Sequence, residues 1–156
     1  MTAGRVYTVI FNAVAVTAQQ DLIEIAAPAD AAVELLEFHI SQSTEVADAA
    51  EVMLKILLKS GQTTTGSGGT TPTPAPLSLG DAAFGGVTKV NNTTKALGGT
   101  IVTHGVWAWN LRTPLDIIFI PEATKIISPS ARMTIELATT DTLTMSGFAT
   151  FKEIGG

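Results

Sequence analysis

Glu51-Val52-Met53-Leu54-Lys55-Ile56-Leu57-Leu58-Lys59 is the stretch on which the fold turns. With a period of two, Val52, Leu54, Ile56 and Leu58 line one apolar face of a strand. With a helical period, Lys55 and Lys59 lie about one turn apart, and Met and Leu are good helix formers. The alternation holds over all four apolar positions, so the strand is preferred. It leaves Met53 and Leu57 on the opposite face, as candidate contacts with another subunit.

The same period recurs on both sides. In Val6-Tyr7-Thr8-Val9-Ile10-Phe11, residues Tyr7, Val9 and Phe11 share a face. Gln19-Gln20-Asp21 reads as a turn, followed by a strand Leu22–Ile25 that ends before Pro28. From Val33 to Gln42, Leu36, Phe38 and Ile40 alternate with Glu37, His39 and Ser41. Beyond Asn91-Asn92-Thr93-Thr94 and Gly98-Gly99, strands are expected over Thr100–Leu111, Leu115–Ile120, Arg132–Ala138 and Leu143–Glu153, punctuated by Pro114, Pro121, Pro129 and Asp141. About eight short strands with turn signals between them predict an all-β chain. The expected architecture is one antiparallel β-sandwich of jelly-roll type over residues 1–156.

One segment breaks the pattern. Ser60–Gly86 reads SGQTTTGSGGTTPTPAPLSLGDAAFGG, a long Gly/Thr/Pro-rich loop. Pro72, Pro74 and Pro76 favour an extended, polyproline-like arm. Leu77, Leu79 and Phe84 are apolar enough to dock on a neighbouring surface, and with the three prolines they are candidate subunit contacts. The plainer reading is a surface excursion that tolerates insertion.

Composition narrows the function classes. Only 15% of the 156 residues are charged, against about 25% in ordinary soluble domains, which favours packing against other subunits. With no cysteine, neither a disulfide framework nor a thiolate site is available. The net charge is −5 and no basic run occurs, so direct nucleic-acid binding is not expected. No apolar stretch reaches the roughly 20 residues of a membrane helix, and Met1-Thr2-Ala3-Gly4-Arg5 does not read as a signal peptide.

Catalytic patterns are missing too. His39 and His104 fall in separate predicted strands without a second ligand at a familiar spacing. Gly66-Ser67-Gly68-Gly69 leads into no helix, so it is neither a nucleophile elbow nor a phosphate cradle. Glu34 and Glu37 are the kind of carboxylate pair that any such composition offers. The expectation is a non-enzyme without metal or cofactor. Trp107 and Trp109 project from one strand face; they either fill the core or form an aromatic platform for a sugar or a partner. Asn91 and Asn92 are sequons, read here as a polar turn.

Four stretches carry a resemblance. They are Gly4-Arg5-Val6-Tyr7 with Ala18-Gln19-Gln20-Asp21-Leu22, the loop TTTGSGGTTPTPAPLSLGDAA, the string NNTTKALGGT, and the terminal LTMSGFATFKEIGG. Together they resemble a family of small virion structural proteins of tailed bacteriophages and prophages. The resemblance implies a capsid decoration (cement) protein, bound as a homotrimer to the major capsid protein on the outer surface of the virion shell. The Ser60–Gly86 arm and the N-terminal segment would reach onto the shell or an adjacent protomer. A tail, baseplate or fibre-associated role and a carbohydrate-binding module are the alternatives.

Overall fold

The computed structural model describes residues 4–43, 52–139 and 141–155. Of the segments read above, Met1–Ala3, Glu51 and Gly156 lie outside them. Among the described residues eleven strands follow one another: β1 Arg5–Val16, β2 Gln20–Ala26, β3 Ala31–Gln42, β4 Met53–Ser60, β5 Ala75–Pro76, β6 Val87–Asn92, β7 Val102–Asn110, β8 Leu115–Ile118, β9 Lys125–Ile127, β10 Arg132–Leu137 and β11 Leu143–Gly155. The only helical element among the described residues is a short 3-10 turn, Pro121–Ala123.

Every strand pairing is antiparallel, and the strands form two sheets. One runs β5-β1-β11-β3-β8, with β9 also on β3; the other runs β6-β2-β10-β4-β7. From β1 to β4 and again from β7 to β11 the long strands alternate between sheets, whereas β4, β6 and β7 all lie in the second. Their inner faces meet in one core, with Tyr7, Phe38, Ile40 and Phe151 from the first sheet against Ile23, Leu54, Ile56, Leu58 and Ile135 from the second. The chain is an all-β sandwich.

Within the described part of the 51–59 stretch, β4 starts at Met53, and the strand reading holds. Leu54, Ile56 and Leu58 are at most 1% exposed, whereas Met53 is 56% exposed on the other face. Alternation fails locally in β3. Leu36 was expected on the inner face, yet Leu35 is buried there instead. The register with β11 slips between Thr150 and Phe151, leaving Leu36 as the extra residue of a β-bulge. A bulge moves every later side chain to the other face, so Val33 and Leu35 before it and Phe38 and Ile40 after it all point inward.

Two glycines hold a close crossing. Gly61 has φ +92° and Gly99 φ +69°. A Cβ on Gly61 would lie 2.1 Å from the Thr100 carbonyl oxygen, and one on Gly99 2.3 Å from that of Gly61. Gly61→Ala is therefore expected to cost about 1–3 kcal/mol, read as a lower urea midpoint at unchanged m-value.

Candidate functional site

The Ser60–Gly86 segment is not a free arm. Its first part runs back along the chain that follows β6, bridging Thr64 to Leu97, Ser67 to Thr94 and Thr70 to Val90. Its middle part then crosses to the other sheet, where β5 pairs with β1 and the Leu77 amide donates to the Val6 carbonyl at 2.9 Å. The segment thus closes one open side of the sandwich, from the β6 edge to the β1 edge.

Charge, rather than apolar contact, pins the first half down. Glu24 on β2 is 2% exposed. Its carboxylate accepts from Thr65 Oγ1 at 2.8 Å, the Gly66 amide at 3.0 Å and Asn92 Nδ2 at 2.7 Å. Arg132 Nε lies 2.6 Å from Glu24 Oε1, although its N–H does not aim at an acceptor. Beside it, Glu136 on β10 receives Lys59 Nζ at 2.7 Å and Lys95 Nζ at 3.0 Å. Gln62 Nε2 donates to Thr134 Oγ1 at 2.9 Å, and Lys89 Nζ to the Gly66 carbonyl at 2.9 Å. The outer face of the second sheet therefore carries a buried, mostly satisfied polar network, and residues 62–66 and 92–96 are its lid.

Asp21 completes the network. It is 1% exposed and accepts from the Ala96 amide at 2.7 Å. Burial pushes its pKa up to about 7, with Glu136 and Glu24 adding to the rise and the Ala96 hydrogen bond and Lys95 opposing it. A carboxyl whose pKa is higher folded than unfolded binds its proton more tightly in the folded state. Its contribution is thus fully present below pH 4 and lost as pH rises to about 7. Through this group alone, stability is expected to fall by roughly 2 kcal/mol between pH 5 and pH 8. Chemical denaturation at the two pH values checks this, and Asp21→Asn, which keeps an acceptor for Ala96, should flatten the difference.

Sequence reasoning missed this network. Gln19-Gln20-Asp21 and Asn91-Asn92-Thr93-Thr94 read as polar turns, yet Gln20, Asp21 and Asn92 are strand residues at most 2% exposed. The available signal was the placement of Glu24, Lys59, Arg132 and Glu136 at strand positions in a chain so poor in charge.

The structure scatters the predicted contact residues. Leu79 is 99% exposed and Leu77 63%, both on the tip that follows β5. Met53 and Leu57 sit on the outer face of the second sheet, Leu57 only half-exposed. Pro74 is buried, and Pro72 and Pro76 are half-buried. Phe84 is no docking residue. It closes the core, 5.4 Å from the Tyr7 ring and 5.0 Å from that of Phe151, because the open side of the sandwich needs an apolar plug. Of the tryptophans, Trp109 lies in the core, 3% exposed, and donates its indole N–H to the Thr113 carbonyl, while Trp107 is half-buried against the core and meets Phe38 edge-on at 5.4 Å.

A hollow of about 150 Å³ lies between Pro72, Pro74, Phe84 and Val87, below the roughly 300–1,000 Å³ of ligand pockets. On the outer face of the first sheet, His39 stacks on Phe148 at 5.4 Å with Nδ1 2.5 Å from Asp116 Oδ1. Among the described residues no three His, Asp or Glu side chains are grouped to hold a metal.

Fold and surface together define an antiparallel β-sandwich closed on one side by a polar-clamped cover with an apolar tip. No family model, no curated protein and no solved structure matches the chain.

Proposed function

We propose that the chain is a phage capsid decoration protein, a jelly-roll block that binds the outer surface of the shell as a homotrimer and stabilises it, with the major capsid protein as partner. The strand orders support the jelly-roll winding. Setting aside the short β5, β6 and β9, they are β1-β11-β3-β8 and β2-β10-β4-β7, so the chain crosses between sheets at every step but β4 to β7, which pair as neighbours, as in two interlocked Greek keys.

The observation that carries the shell contact is the tip Leu77–Leu79. Two leucines stand out in water, 63% and 99% exposed, on a cover whose base is fixed to both sheets. Apolar groups held rigidly before binding need little ordering on contact, so their burial goes largely into affinity. Burying one leucine contributes about 1.5–3 kcal/mol, which is tenfold or more in affinity. The double change Leu77→Ser with Leu79→Ser is expected to weaken co-sedimentation with undecorated shells at least tenfold, with an unchanged melting temperature. Unaltered attachment would remove the tip from the proposal.

Removing Gly66–Pro76 takes away a donor to Glu24 and the strand that pairs β1. Such a deletion disturbs the fold, whereas the paired leucine change does not.

A further inference from the structure

We infer that strand β7 is a self-association edge, pairing antiparallel with β7 of a second copy about a two-fold axis. The sheet edges are treated unequally. The β6 edge is capped where Thr70 and Val90 exchange hydrogen bonds of 2.9 and 3.0 Å, and β1 is capped by β5. On the other side, β8 has four residues and runs into the 3-10 turn. By contrast, β7 has nine residues, and among the described residues nothing pairs with its far side.

An exposed edge is a template for another strand, and proteins that stay apart block it with lysine, proline, a bulge or a cover. Here Val102–Asn110 contains neither proline nor Lys, Arg, Asp or Glu. A bulge at His104 limits the regular stretch to residues 105–110. Partial burial, and secondarily Lys125, hold the His104 pKa below its ordinary value, and its Nε2 pairs with Ser60 Oγ at 2.6 Å. The stretch is also rigid, since Trp107 and Trp109 anchor its inner face.

The occupant follows from charge and symmetry. A neutral strand meets its own copy without like-charge repulsion. On the neighbouring strand β4, Lys55 opposite Ala108 would sit three strand spacings from its counterpart, about 14 Å, beyond the screening length of roughly 8–10 Å. A two-fold axis perpendicular to the sheet, centred within residues 106–108, keeps each outer face outward. It brings the exposed Val106 side chains, 59% accessible in one copy, together on one surface. The contact is isologous, so it leaves other faces free for a three-fold contact and does not depend on the capsid reading.

The chain has no cysteine, which makes crosslinking a clean test. Val106→Cys and Ala108→Cys, singly and mixed in equal amounts, cover the registers within this centre. Paired strands bring opposite Cα atoms to about 4.5–5.5 Å, within disulfide reach. Under mild oxidation at least one combination is expected to form a covalent dimer tenfold or more faster than Leu79→Cys, the fully exposed control. If each variant is folded by circular dichroism and none outpaces the control, the self-pairing is overturned.

Discussion

Replacing Glu24 by alanine is expected to destabilise the protein by about 3–5 kcal/mol, the cost of removing one partner from a buried ion pair. Such a loss is a large part of the roughly 5–15 kcal/mol that holds a typical domain folded. Three donors and the Arg132 guanidinium converge on this single carboxylate, from β6, β10 and the cover. Without it the Gly66 amide and Asn92 Nδ2 lose their acceptor in a site closed to water. Glu24→Gln keeps the shape and one acceptor oxygen, so it should cost less than alanine yet remain destabilising. Urea unfolding of the three proteins checks the order; equal midpoints would mean that the cover is held by other contacts.

Phe84→Ala should cost about 3 kcal/mol, near the lower end for a buried phenylalanine, since the residue lies at the rim of the core with 9% exposure. Its second effect is local. The Tyr7 hydroxyl donates to the Ala82 carbonyl at 2.8 Å, and the Phe84 ring rests on Tyr7 and Phe151. Loss of the plug frees the outer half of the cover while Glu24 still clamps the inner half. Limited proteolysis should then cut within residues 77–83 much faster than in the parent protein, under conditions where the sheets stay folded. Cleavage at the parent's rate would show that the tip does not depend on the plug.

The alternation of apolar residues made the sandwich legible, because one buried face per strand writes a period of two into the sequence. In β4 the period was unbroken and the strand followed. In β3 the bulge at Leu36 disguised it, since an inserted residue depends on how β11 pairs and leaves no local mark. The tryptophans were rightly placed on one face, but alternation alone does not say which face is inside. The cover was the least legible part. A turn and a polar strand face buried beneath a cover use the same residues, so Asp21 and Asn92 looked solvated until the segment 62–66 was seen lying over them. Phe84 misled for the converse reason: within a Gly- and Pro-rich stretch, an apolar side chain carries no sign of whether it packs at home or on a neighbour.

The central proposal, a protein bound to the outside of a phage shell, is tested most directly by immunogold labelling of virus particles purified from cells that express the gene. The account predicts gold distributed over the head surface, lost when Leu77 and Leu79 are both changed to serine. Gold confined to the tail or baseplate, or absent from purified particles, would contradict it.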